Sequence, residues 1–294
     1  MNRRTFLQTA ALSTLAVASL GTSAQAQLFP RLRAGQQART AARRGETPEK
    51  KIPIAVQLYS VRGAAQNDLA KTLEAIAKMG YDGVEFAGYY GKDPKDIRKM
   101  LDDTGLKCAG THTGYGEIQD NRFDRTAEIH QTLGTKFIIV PGGLPNDNLE
   151  RHKEWIDGFN RISPKAKALG LYIGYHSHAG DARQIDGITA WDRFFEGTIE
   201  DVVHQQDIGN YLGGNADPYA TIEKYKGRSK TLHLKEHGPN RPIIGSGTVD
   251  WKRVFDLAET VGGTEWYVVE DEAGSPDDLS RIEQCITALR EMGK

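Results

Sequence analysis

Eight positions in this chain carry side chains suited to chemistry and fall where short apolar runs end. They are Glu85, His112, His176, His178, Asp207, His233, Lys235 and Glu270. Asp207 closes Val-Val-His-Gln-Gln-Asp, His233 lies in Thr-Leu-His-Leu-Lys, and Glu270 closes Trp-Tyr-Val-Val-Glu. A carboxylate or imidazole at the end of an apolar strand must be paired, hydrogen-bonded or metal-bound. Two carboxylates with one or two imidazoles suit a single borderline divalent ion, Mn2+ or Co2+ first, with Zn2+ or Fe2+ as further choices. Asp207 and Glu270 would neutralise the two charges of that ion. Side chains two apart on a strand share a face, so His176 with His178, and His233 with Lys235, can each look to one side. Such pairs supply a metal ligand and a proton-transfer group from one strand. Ser177 and Cys285 have no triad context, so nucleophilic catalysis is not indicated.

The elements that must position these residues begin at Lys51. Strands are expected over 52–58, 83–86, 107–110, 136–140, 171–175, 202–206, 231–234 and 266–269. Their starts lie roughly 30 residues apart, the length of a strand, a helix and two loops. Between them run helical patterns: Asn67 is placed to cap Leu69-Ala70-Leu73-Ile76-Ala77, and Ser280-Ile282-Ile286-Leu289 makes the apolar stripe of the last helix. Glycines before Tyr81, Leu106, Thr135 and Leu171 read as helix stops. Eight strand–helix units in about 250 residues are the arithmetic of a (β/α)8 barrel in the α/β class. A doubly wound open sheet is the alternative, but the first strand runs into Gln57-Leu58-Tyr59-Ser60-Val61-Arg62 without a glycine-rich phosphate loop. The barrel reading also places the chemistry, because barrel sites lie at the C-terminal ends of the strands.

The first 50 residues stand apart. Arg3-Arg4-Thr5-Phe6-Leu7, an apolar stretch and Ala24-Gln25-Ala26 read as a cleaved, twin-arginine-like export signal over 1–26. The apolar run is too short for a permanent membrane span. Residues 27–50 are rich in Arg, Gln, Ala and Gly and read as a flexible segment. The expected organisation is therefore signal, lead-in, and one barrel domain over 51–294, in a bacterial periplasm. These 50 residues hold eight of the 38 basic side chains and two of the 39 acidic ones, so the barrel itself is acidic. That balance argues against a nucleic-acid partner. The two cysteines, Cys108 and Cys285, read as buried thiols.

Tyr175-His176-Ser177-His178, Gln206-Asp207-Ile208-Gly209-Asn210, His233-Leu234-Lys235-Glu236 and Gly245-Ser246-Gly247-Thr248-Val249-Asp250-Trp251 resemble, in that order, segments of the xylose-isomerase-like TIM-barrel superfamily of sugar isomerases and epimerases. The resemblance covers about residues 52 to 292. It implies one divalent ion held by residues ending strands five to eight, and it assigns Asp207, His233 and Glu270 to the last three positions. At strand five, where many members have Glu, this chain has Gly174 or Tyr175, and His176 is the nearest ligand, with His178 as its substitute. The departure removes half of the two-glutamate proton shuttle of the epimerases.

The function expected on these grounds is proton abstraction next to the carbonyl of an unphosphorylated sugar or keto-sugar, giving an isomerase or epimerase. A lyase or dehydratase that expels a β-leaving group from the same intermediate, for example from a 3-keto-glycoside, is the near alternative. A periplasmic sugar-binding protein without turnover is a third. His178, Lys235 and Glu85 are expected to carry proton transfer. His112, Asn210 and Trp251 are expected to face a small carbohydrate, and the oligomeric state is left open.

Overall fold

The structure is a computed structural model, and it describes residues 51–294. The expected export signal and lead-in lie outside the described residues. Strands β1 (Ile54–Gln57), β2 (Gly83–Phe86), β3 (Lys107–His112), β4 (Phe137–Val140), β5 (Tyr172–His176), β6 (Val203–Gln205), β7 (Thr231–Leu234) and β8 (Trp266–Val269) form one parallel sheet. Its order runs β6-β5-β4-β3-β2-β1-β8-β7. The two edges meet through a parallel bridge between Asp207 and His233 and through the His233 N–H donating to the Gln206 carbonyl at 2.9 Å. The result is a nearly closed eight-stranded barrel with helices between its strands, as the spacing predicts. A small hairpin, Gln184–Ile185 with Ile188–Thr189, is inserted after β5.

Alternation along the strands makes two apolar layers. Ile54 and Val56, Leu232 and Leu234, and Tyr267 and Val269 point outward into the core under the helices, as do Ile138, Val140, Ile173 and Tyr175 on the other side. The inward positions are apolar at the N-terminal end, with Ala55, Ala109 and Val268 in one cluster and Phe137, Ile139 and Val203 in another, and Trp266 packed against both. The same inward rows become polar toward the C-terminal end, at Gln57, Glu85, His176, Gln205, Asp207, His233 and Glu270. The period of two therefore delivers these groups into the mouth of the barrel.

Helix ends follow the residues that can end them. Gly80 and Gly134 stop their helices with φ of 92° and 73°, the left-handed conformation that glycine adopts without a Cβ penalty. One expectation is corrected at the first long helix, α1 (Leu69–Met79): Asp68, not Asn67, caps it, its carboxylate accepting from the Lys71 N–H at 3.1 Å. Asn67 instead ends a preceding short helix, Arg62–Asn67, and donates to Asp277. The last helix, α2 (Ser280–Glu291), buries Ile282, Cys285, Ile286 and Leu289. Both cysteines are buried and free. Among the described residues no helix is long and apolar enough to cross a membrane.

Candidate metal centre

Four side chains from four consecutive barrel strands converge. His176 ends β5, Asp207 follows β6, His233 is inside β7 and Glu270 follows β8, and a ligand atom from each lies within 4.8 Å of the others. All four are buried. Among the described residues, Asp207 Oδ2 and His176 Nδ1 have no hydrogen-bond partner, although both are buried. A buried polar atom without a partner is costly, and an orphan carboxylate oxygen facing two imidazoles and a second carboxylate is what a bound cation relieves. The donor set, two imidazoles and two carboxylates, fits one borderline divalent ion.

The backbone explains why Asp207 faces this point. It is the N-cap of the short helix Ile208–Gly213, with Oδ1 accepting from the Asn210 N–H at 2.7 Å, which leaves Oδ2 free. Its own N–H donates to Ser177 Oγ at 2.8 Å. Burial pushes its carboxyl up to about 7, so without a cation it resists ionisation. His176 is driven well below the usual imidazole range by burial and by the neighbouring His233. Its ring is neutral, the form in which an imidazole ligates a metal.

His233 sits between two carboxylates. Its Nδ1 is 2.8 Å from Glu270 Oε2 and 3.9 Å from Asp207 Oδ2, and its Nε2 is 2.7 Å from Glu85 Oε2. Burial opposes the charged ring, but Glu85 and Glu270 lift it to about 10. With Nδ1 on the cation side, Nε2–H donates to Glu85, the outer support that orients a ligating imidazole.

Glu85 is the hub of that support. Oε2 accepts from Gln57 Nε2 at 2.8 Å and from His233, with His112 Nε2 3.1 Å away, while Oε1 accepts from Gln205 Nε2 at 2.8 Å. Burial alone would raise its carboxyl, yet His112 and His233 hold it well below the usual range. The carboxylate lies across β3 at a register shift between Val84 and Glu85. A Cβ at Gly110 would stand 2.8 Å from Oε1, so only glycine leaves room. With both oxygens engaged, Glu85 is placed to orient the imidazoles around it.

The open side of the centre is a pocket of about 490 Å³ bounded by Tyr59, His112, His176, His178, Glu270 and Glu272 among others. His178 lies past the end of β5, exposed at the rim. The chain leaves the strand here for a 3-10 turn, Ala179–Ala182, tied by the His178 N–H donating to Asp181 Oδ2 at 2.8 Å. His176, not His178, is therefore the strand-five member of the cluster. Lys235 pairs with Glu270 Oε1 at 3.2 Å and with Glu272. Burial disfavours its charge, but Asp207 and Glu270 outweigh this and hold it above its usual range, as an ammonium.

Two expected substrate contacts are placed elsewhere. Trp251 opens the helix Trp251–Leu257, packs in the outer core and donates Nε1–H to Glu236 Oε2 at 2.7 Å. Its helix lies outside the sheet, so its ring has no path to the barrel mouth. Asn210 donates Nδ2–H to the Ser177 carbonyl at 3.3 Å and its N–H to Asp207, bracing the ligand loop and bordering neither rim pocket. Conversely, Gln57, Gln205 and Glu272 were not singled out by the sequence. The inward parity of Gln57 and Gln205 was the available signal.

The family model described as Xylose isomerase-like TIM barrel matches residues 73–292. An inosose dehydratase of Lacticaseibacillus casei is 25% identical over 263 residues, covering 75% of this chain and 87% of that protein. The crystal structure of a sugar phosphate isomerase/epimerase from Parabacteroides distasonis superposes with a TM-score of 0.73 at 25% identity, over 83% of this chain and 96% of that one. An IolI protein crystallised with a zinc atom shares the fold with a TM-score of 0.64 at 14% identity, over 82% and 96% of the two chains.

Proposed function

Because this chain belongs to the xylose isomerase-like TIM barrel family, we propose that it is a divalent-metal-dependent enzyme that removes the proton next to a carbonyl of an unphosphorylated sugar or keto-cyclitol and expels a hydroxyl from the adjacent carbon. The observation that carries this reading is the buried His176–Asp207–His233–Glu270 cluster beside the Lys235 ammonium, with one pocket bounded by His176 and Glu270 of the cluster and an adjoining one bounded by Lys235. When bound, a divalent ion supplies Lewis-acid polarisation of the carbonyl, which acidifies the neighbouring C–H. His176, Asp207, His233 and Glu270 hold that ion, and Glu85 fixes the ring of His233.

The protein's own groups do the rest. His178 at the rim takes the proton from carbon. The C–O bond at the adjacent carbon breaks, and Lys235, kept charged by Glu270 and Glu272, protonates the departing oxygen to water. His112, oriented by Gln205 Oε1 at 3.0 Å, faces the pocket and holds a substrate hydroxyl. Elimination is preferred over epimerisation because of strand five. Epimerisation needs proton carriers on opposite faces of the carbon. At Gly174 an added Cβ would meet Ile139 and Val203 at 2.7 Å, which leaves no room for a second inward carboxylate. The similarity to an inosose dehydratase supports the same outcome.

Isomerisation or epimerisation is the second reading, favoured by the likeness to the Parabacteroides isomerase/epimerase. The unphosphorylated substrate rests on the export signal read over 1–26, since sugar phosphates are largely cytoplasmic. The test is to strip metal with a chelator, reload with Mn2+ or Co2+, and follow a panel of keto-sugars and keto-cyclitols in D2O by NMR. Turnover is expected to vanish and return with metal, with C–H exchange accompanied by an enone product. Unchanged turnover at background metal content refutes the mechanism, and exchange with a rearranged sugar but no enone selects the second reading.

A further inference from the structure

A second pocket, of about 410 Å³, opens beside the first and shares Glu270 and Glu272 with it. Lys235 also lines it, so its inner end is the proposed proton donor. Its wall carries four acidic side chains, and each is already engaged. Glu270 holds His233 and Lys235, and Glu272 holds Lys235. Asp271 takes a two-pronged contact from Arg281 at 2.8 and 2.9 Å. Glu236 accepts from the N–H groups of His237, Gly245 and Val249 and from Trp251.

Two cations on the same wall, Arg62 and Arg241, have no carboxylate partner among the described residues. The side chain of Arg62 and the backbone of Arg241 are nevertheless held in place. Arg62 lies over the Tyr59 ring, 4.3 Å from its centroid, and donates Nη1–H to the Tyr59 carbonyl at 2.8 Å, which leaves the rest of its guanidinium free. Tyr59 itself borders the first pocket. Arg241 stands on a turn in which Asn240 and Arg241 have φ of 61° and 50°, a conformation that non-glycine residues adopt at an energetic cost. Its carbonyl accepts from Arg281 Nη2 at 2.8 Å, the arginine that Asp271 clamps. A strained turn pinned through a half-buried ion pair presents an unpaired guanidinium to a cavity.

Resting on the enzymatic reading above, we propose that this second pocket is the subsite for a carboxylate on the substrate, held by Arg62 and Arg241, so that the preferred substrates are keto-sugar acids. Guanidinium donors match the two oxygens of a carboxylate in plane. A monoanion fits better than a phosphate dianion, because four carboxylates already line the same wall and repulsion grows with the added charge.

The test is calorimetric binding of three ketoses that differ only at the terminal carbon, D-fructose, D-fructuronate and D-fructose 6-phosphate, to the metal-loaded full chain. D-fructuronate is expected to bind at least tenfold more tightly than D-fructose and than the phosphate. Arg62→Gln and Arg241→Gln are each expected to lower the fructuronate-to-fructose affinity ratio about tenfold. Arg253→Gln, an exposed change outside both pockets, is expected to leave that ratio as it was. Equal binding of fructuronate and fructose, no measurable binding of fructuronate, a preference for the phosphate, or a ratio untouched in both arginine variants overturns the proposal. The same samples in D2O report C–H exchange, so absent exchange with selective fructuronate binding sinks the enzymatic reading and leaves the subsite standing.

Discussion

Glu85→Gln isolates the support under the metal centre from the ligands themselves. Glu85 Oε2 accepts from Gln57 and His233, with His112 Nε2 3.1 Å away, and Oε1 accepts from Gln205. The amide nitrogen of a glutamine must therefore take the Oε1 place, where it meets the Gln205 amide donor against donor. Gln205 cannot simply turn over, because its Oε1 pairs with His112 at 3.0 Å and its Nε2 also donates to Thr231 at 2.9 Å. A buried mismatch of this kind costs about 1–3 kcal/mol. For a domain of this size each kcal/mol moves Tm by about 2–4 °C, so the variant is expected to melt about 2–12 °C lower. The second effect is on His233: its Nε2–H then donates to a neutral amide, which weakens Nδ1 as a ligand. Loss of such outer support typically weakens metal binding 10–100-fold, or about 1.4–2.7 kcal/mol. The assay is competition for Mn2+ or Zn2+ against a fluorescent chelator, with circular dichroism to confirm the fold. A folded variant whose metal Kd stays within about threefold of the parent refutes the claim that Glu85 acts through His233.

Asp207→Ala is expected to bring metal content to background by mass spectrometry. It also removes the cap of the helix Ile208–Gly213, which lowers stability by about 1 kcal/mol without unfolding the barrel; full occupancy would remove Asp207 from the ligand set. Lys235→Met is expected to keep metal while turnover falls by about 10²–10⁴, the usual worth of a proton-transfer group; turnover near the parent value would deny Lys235 that role. His130 gives a pH signature away from the site. Its Nδ1–H donates to the Thr126 carbonyl at 2.7 Å and its Nε2 accepts from Thr111 at 2.6 Å, a pattern only the neutral ring satisfies. Burial pushes it down to about 4 from 6.5. The unfolded chain therefore takes up the proton first as pH falls through 6.5, and stability declines until about pH 4, by about 3 kcal/mol from this residue. Denaturant unfolding at pH 7.5 and 4.5 is expected to show that difference shrinking by about 2–3 kcal/mol in His130→Gln; an undiminished difference would contradict it.

The barrel and most of its candidate metal centre were legible in the chain because both depend on local periodicity. Unit spacing near 30 residues demanded eight strand–helix units, and the ends of the apolar runs placed Asp207, His233 and Glu270 at the C-terminal rim. Composition added that the barrel is acidic and that its cysteines stand as buried thiols. Tertiary structure decided everything that depends on which strands become neighbours. His176 and His178 have the same spacing relation, yet only His176 enters the cluster, because the chain turns away at Ala179 under the hold of Asp181. Asn67 is the cap expected from the sequence, but it ends the short helix before it and leaves the cap to Asp68. Trp251 reads as a stacking ring in the sequence, but its helix packs outside the sheet. Glu85 meets His233 across 148 residues and Gln205 across 120, and Arg62 meets Arg241 only as walls of one pocket. A side chain's face follows from its own strand, whereas its partners follow from closure of the barrel.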